Sequence, residues 1–106
     1  MELIVLKQAK RELKDAPINI IQDVFALFDD LMAGKNLGMP ISRPLPSIAK
    51  GLHELRLSGR SGESRVFYVI HVGSAIYVLH ATAKKTQKTD RRTIELIKSR
   101  LRSVGL

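Results

Sequence analysis

Cysteine is absent from the 106 residues, which excludes a disulfide framework, a thiolate nucleophile and any sulfur-ligated metal. No apolar run approaches the about eighteen residues of a membrane span, and the "LIVL" near the start is too short for a secretory signal. Together these absences point to a cytoplasmic protein with no membrane partner. Aromatics are scarce: three phenylalanines and two tyrosines are too few for a sheet that reads single strands by base stacking. The strongly diagnostic catalytic patterns are missing too, with no H-E-x-x-H, no phosphate loop and no G-x-S-x-G. His53, His71 and His80 fall on separate predicted strands without ligand spacing, so no metal and no other cofactor is expected.

What the chain has is positive charge, and it is unevenly spread. The formal net charge is +8. Residues 1 to 34 carry four basic and six acidic side chains, whereas residues 35 to 106 carry fourteen basic and four acidic. The densest stretch runs from Lys84 to Arg102, where Lys84, Lys85, Lys88, Arg91, Arg92, Lys98, Arg100 and Arg102 face only Asp90 and Glu95. Such a surface attracts phosphate backbones through counterion release. The plainer alternative is a solvated face that keeps a small protein soluble.

The length suits one domain spanning 1–106. "ELIVL" reads as a short strand and "KQAKRELKDA" as a short charged helix. Pro17 suits the first turn of a second helix, in which Ile21, Val24, Phe25, Phe28, Leu31 and Met32 recur at core-packing spacing. Gly34 is a fitting stop, and this first third is therefore a predicted helical hairpin. "KNLGMPISRPLPSIAK" holds three prolines and reads as an ordered surface loop. Then "GLHELRLS", "SRVFYVIHV" and "AIYVLHATA", separated by the turn signals "GRSGE" and "GS", predict an antiparallel meander. Alternation in the middle strand sets Arg65, Phe67, Val69 and His71 on one face and Val66, Tyr68, Ile70 and Val72 on the other. A central strand is expected, with Arg65 in a solvated groove. From Thr89, read as an N-cap, Ile94, Ile97, Leu101 and Val104 share one face of a terminal amphipathic helix. The fold class is α+β: an N-terminal helical hairpin on a small antiparallel sheet, closed by a C-terminal helix.

Cations fixed at a strand end and at the start of a helix can converge on one phosphate and stabilise charge developing in its transition state. Lys84, Lys85 and Lys88 have that placement, followed by Arg91 and Arg92. Arg65 and, one strand further, Arg56 could add guanidinium donors to two phosphate oxygens. A sheet-edge salt bridge, such as Arg56 with Glu54 or Glu63, is the structural alternative for any single arginine. His80, four residues before Lys84, lies at the same end of the sheet.

The stretch from "GLHELRLSGRSGESRVFYVIHV" to "LHATAKKTQKTDRRTIELIKSRL", about half the chain, resembles the core of the RelE/ParE toxin superfamily, in its HigB-like, phage-derived branch. The strand containing "ELR", the strand opening "RVFY" and "LH" followed by "KKTQKT" carry the likeness. Asp90 stands where that branch commonly has proline. The resemblance implies a toxin of a type II toxin–antitoxin pair, an endoribonuclease that cuts mRNA on the ribosome and so inhibits translation. It also implies a co-encoded antitoxin, small and acidic or of helix-turn-helix type. The implied functional positions are Arg65, Lys84, Lys85 and Lys88, then Arg56 and His80. Some members of the superfamily add a tyrosine or histidine near the C-terminus as acid or base, and "LRSVGL" offers neither. Tyr68, Tyr77 and His80 are left as candidates for proton transfer, as are the lysines at lowered pKa. Two other readings remain open: a ParE-like gyrase inhibitor and a non-catalytic RNA- or ribosome-binding module.

Overall fold

A computed structural model describes residues 2–59, 62–71, 75–84 and 88–106. In chain order it contains β1 (Glu2–Val5), α1 (Lys7–Lys14), α2 (Ile18–Met32), β2 (Ser42–Pro44), β3 (Leu52–Gly59), β4 (Gly62–His71), β5 (Ala75–Lys84) and α3 (Arg91–Ser103). One five-stranded sheet has the order β1-β5-β4-β3-β2. The α+β architecture is the expected one, and β3, β4 and β5 form the antiparallel meander. Two features were not legible in the sequence. β1 joins the edge in parallel with β5, making the sheet mixed, and the proline-containing loop contributes β2, antiparallel to β3. Pro44 is tolerated there because β2 is an edge strand, where a missing N–H leaves no ladder partner unpaired.

β4 is central and buried on both faces because the strand alternates between two separate cores. Leu55, Leu57, Val66, Tyr68, Ile76 and Val78 face the helical hairpin. Leu52, Phe67, Val69 and Leu79 face α3 through Ile97 and Leu101. A bulge between Phe67 and Tyr68 shifts the β4–β5 register, so that His80 rather than Leu79 lies opposite Phe67. Val72, expected at the end of this strand, lies outside the described residues.

The core stripe of α2 is Ile20, Val24, Phe28 and Leu31. It is rotated from the expected one: Phe25 is 49% exposed and meets Phe28 edge-on at 6.0 Å. Pro17 is the N-cap of α2 rather than a first-turn residue. The helix ends as expected at Gly34, whose φ of 84° suits glycine. Gly34 N–H donates to Leu31 O and Lys35 N–H to Asp30 O, the paired bonds of a Schellman stop. Gly51 is required for another reason: with φ at 78°, an added Cβ would lie 2.9 Å from the Ile70 carbonyl oxygen.

Local terms work against α1. It has no acid in its first turn and no side-chain cap, and Lys7 sits at the positive end of the helix dipole, disfavouring the helix by about 0.3–1 kcal/mol, which Arg11 and Lys14 in the last turn offset. The like-charge pairs 7/10, 7/11, 10/14 and 11/14 add about 0.2–0.5 kcal/mol apiece. Tertiary contacts hold it instead, through the buried Ala9 and Leu13 and through Glu12. No helix among the described residues is long and apolar enough to cross a membrane.

Candidate nucleic-acid interface

Beyond the apolar patch that α3 covers, the same face of the sheet turns polar. Register sets Arg56, Arg65 and Thr82 in one row across β3, β4 and β5, and Glu54, Phe67 and His80 in the neighbouring row. At the end of β5, Lys84 pairs in register with Glu63. Lys85, expected in this cluster, lies outside the described residues together with Thr86 and Gln87. Lys88 is exposed, as are Arg91 and Arg92 on the first turn of α3. The positive end of the α3 dipole adds to their field. Asp90, one residue later than expected, is the N-cap, its Oδ1 accepting from Thr93 N–H at 2.7 Å.

Arg65 is not in a solvated groove. It is 1% exposed, its Nη2 donating to Glu63 Oε2 at 2.8 Å and its Nε lying 3.6 Å from Glu54 Oε1. That second distance is too long for a hydrogen bond, and Nε has no hydrogen-bond partner among the described residues. The correction has a physical cause: two carboxylates on adjacent strands neutralise the guanidinium, which allows it to be buried. Glu54 is buried as well and accepts from the Thr89 hydroxyl at 3.4 Å. Thr89 ends "KKTQKT", so one buried carboxylate links Arg65 to the cationic segment.

His80 belongs to a network that the sequence did not reveal. Its Nδ1 lies 2.9 Å from Glu12 Oε1, and its ring stacks on Phe67 with centroids 5.9 Å apart. Arg100 of α3 grips the same carboxylate with two bonds, Nη1 to Oε1 at 2.7 Å and Nη2 to Oε2 at 3.0 Å, and donates to the Leu79 carbonyl at 2.8 Å. Ala81 N–H donates to Glu12 Oε1 at 3.3 Å. The reason lies in the topology. β1 pairs with β5 only as far as Val78, so the edge of β5 beyond it would be bare, and Glu12 and Arg100 take the place of the missing strand as acceptor and donor. Arg100 Nη1 also comes within 3.3 Å of His80 Nδ1. A guanidinium can only donate, and a carboxylate can only accept. Nδ1 therefore carries its proton toward Glu12, which leaves Nε2, without a hydrogen-bond partner among the described residues, as the ring's free proton site. Burial pushes the Glu12 carboxyl up. The bonds from Arg100 and His80, the His80 charge and the Ala81 N–H outweigh it, so its pKa ends below the ordinary 4.5. In sequence, the one signal for Glu12 was its position beside Leu13 on the inner side of α1.

Tyr68 is on the opposite face, 1% exposed, with its hydroxyl 2.6 Å from Ser42 Oγ and its ring stacked on His53 at 5.2 Å. Burial raises its phenol above the ordinary 10, although the Ser42 bond opposes this. The sheet separates Tyr68 from Arg65 and His80, because odd and even positions of β4 point to opposite sides. The structure thus brings Arg56, Arg65 and His80 to one face, with Lys84 at the end of β5 and Lys88, Arg91 and Arg92 just before and in the first turn of α3.

This arrangement defines a class, the RelE-like α+β fold. A chain of the toxin–antitoxin complex RelBE2 from Mycobacterium tuberculosis superposes with a TM-score of 0.55 at 20% identity, over 78% of this chain and 96% of that one. The intact RelBE toxin–antitoxin complex of E. coli is similar at 16% identity and a TM-score of 0.48, over 80% of this chain and 98% of that one. No curated protein matches by sequence. Within the class the family is specific: residues 11–102 match the phage-derived Gp49-like family (DUF891), and the chain belongs to it.

Proposed function

We propose that this protein is the toxin of a type II toxin–antitoxin pair and that it cuts mRNA on the ribosome. The ribose 2′-OH attacks the adjacent phosphorus, a cyclic phosphate forms, and the 5′-oxygen leaves with a proton. The observation that carries the reading is that register sets Arg56, Arg65 and His80 on one face of the sheet, with Lys84 at the end of β5 and Lys88, Arg91 and Arg92 exposed before and in the first turn of α3. Cations held by a strand end and a helix start stabilise the charge of the pentavalent transition state without reorganising. His80, with Nδ1 tied to Glu12, offers Nε2 for proton transfer. The relatives of similar fold are toxin–antitoxin complexes, which supports a co-encoded antitoxin, acidic or of helix-turn-helix type, as the partner that restrains this surface.

One observation favours a second reading, a non-catalytic module that docks on RNA or the ribosome: the Arg65 guanidinium is already occupied by two glutamates. Phosphate would have to displace Glu63, whose side chain is 41% exposed and so the easier of the two to move. Induction of the chain alone in bacteria, with mapping of new 5′ ends, separates the readings. Breaks inside translated mRNAs support the nuclease. Growth arrest with intact mRNA supports the docking module, and arrest with gyrase–DNA breaks would replace both.

A further inference from the structure

α2 carries two apolar stripes, where a helix resting on one sheet needs only one. Ile20, Val24, Phe28 and Leu31 are buried in the core. Ile18, Ile21 and Phe25 recur at i, i+3 and i+7 on the flank beside α1, and two of them stay in solvent, Ile18 at 69% exposed and Phe25 at 49%. Between the two helices lies a surface groove of about 450 Å³, lined by Val5, Leu13, Ile21 and Phe25 and by Lys10 and Lys14. Its lining is mostly apolar. Phe25 already packs edge-on against Phe28, so its ring can meet a partner with little further loss of freedom.

The α1 rim of the groove is cationic. Lys10 and Lys14 stand in its wall, and Lys7 and Arg11 continue the row at helical spacing, all four exposed. An exposed apolar patch with an aromatic anchor marks a protein interface. The rim sets the charge of what fits it: an amphipathic helix whose apolar stripe fills the groove and whose acidic side chains lie along α1. Other occupants fit worse. RNA phosphate would gain from the lysines and nothing from Ile21 or Phe25. A second copy would bring a row of four cations against a chain of net charge +8, and a flat lipid surface would leave a concave groove unfilled.

We propose that the α1–α2 groove is where the co-encoded antitoxin anchors an acidic amphipathic helix. The inference rests on the toxin–antitoxin reading and gives the partner a surface. α1 and α2 cover the sheet face that bears Leu55, Leu57, Val66 and Tyr68, whereas Arg56, Arg65 and His80 belong to the other face. The anchor is therefore separate from the face proposed to work on RNA. Grip on the toxin and toxicity itself can be parted by mutation.

The test uses the full chain and its purified co-encoded partner, with the variants Phe25→Ala and Lys10→Gln/Lys14→Gln. Phe25→Ala should weaken the complex about tenfold or more, mostly through faster dissociation. Lys10→Gln/Lys14→Gln should slow association at low salt and change dissociation little. Both variants should melt close to the wild type, since each replaced side chain is exposed. Induced in bacteria, Phe25→Ala should arrest growth like the wild type and no longer be rescued by the partner. Unchanged affinity in Phe25→Ala would overturn the proposal, as would an unchanged association rate in Lys10→Gln/Lys14→Gln. A wild-type chain that dimerises or binds phosphatidylglycerol vesicles through Phe25, while Phe25→Ala still holds the partner, would also overturn it. If the wild type cuts mRNA but does not bind its co-encoded partner, the groove assignment falls and the nuclease reading stands. If it neither cuts mRNA nor arrests growth, yet binds the partner through Phe25, the nuclease reading falls and the groove stands.

Discussion

Arg65 Nε lies 3.6 Å from Glu54 Oε1, with both side chains almost wholly buried on neighbouring strands. A desolvated pair of this kind is tolerated only while both partners are present. Arg65→Ala should therefore cost about 3–5 kcal/mol through the uncompensated Glu54 carboxylate, whatever its effect on toxicity. Urea melts of Arg65→Ala, Glu54→Ala and the double variant check this. Additive losses would mean that the two side chains do not interact.

Glu63 is the partially exposed member of the same group, and its bond to Arg65 is the short one at 2.8 Å. Glu63→Gln keeps an acceptor beside Arg65 but removes one of the two charges that offset its burial, so it should cost about 1–3 kcal/mol, while loosening the hold on guanidinium donors that phosphate could take. Tighter binding of a short non-cleavable RNA is the expected result. Weaker binding would mean that Glu63 holds Arg65 in its active orientation.

Glu12 gives a pH dependence. Its folded pKa is depressed below the ordinary 4.5, so its contribution is fully present above that value and is lost as pH falls through the folded pKa. Melting curves of the wild type and Glu12→Gln should differ most near neutrality and converge as the pH is lowered below about 4. A constant gap down to pH of about 2.5 would show that the carboxylate is not the titrating group. Arg100→Ala should weaken the same dependence, leaving the His80 and Ala81 contributions, and loosen the edge of β5, with faster amide exchange at Ala81.

Lys88, Arg91 and Arg92 are exposed, and replacing Arg91 or Arg92 by Ala should change stability by no more than about 0.5 kcal/mol. Toxicity on induction should fall with each one. Full toxicity in the triple variant would remove this segment from the working surface.

Tyr68→Phe strands the Ser42 hydroxyl in the interior, at a cost of about 1–3 kcal/mol. mRNA cleavage should survive, since Tyr68 lies on the far face of the sheet from Arg65. Abolished cleavage with unchanged melting would instead give the phenol a chemical role.

Much of this protein was set by its sequence alone. Period-two runs bounded by Gly-rich turns determine the meander, three- and four-residue spacing determines α2 and α3, and "KKTQKT" after the last strand marks the cationic segment, because these are local properties of a chain. The phase of α2 is not among them: Phe25 is as apolar as Phe28, and only the sheet beneath decides which of the two is buried. The tertiary structure alone decided what the charges do. Arg65 and Glu54 are eleven positions apart on paired strands, and Glu12 and Arg100 are separated by 88. Composition counts such residues as surface charge. The fold turns one pair into a buried neutral unit and the other into the substitute for a missing strand, because an unsatisfied polar group in the interior costs more than bringing distant partners together.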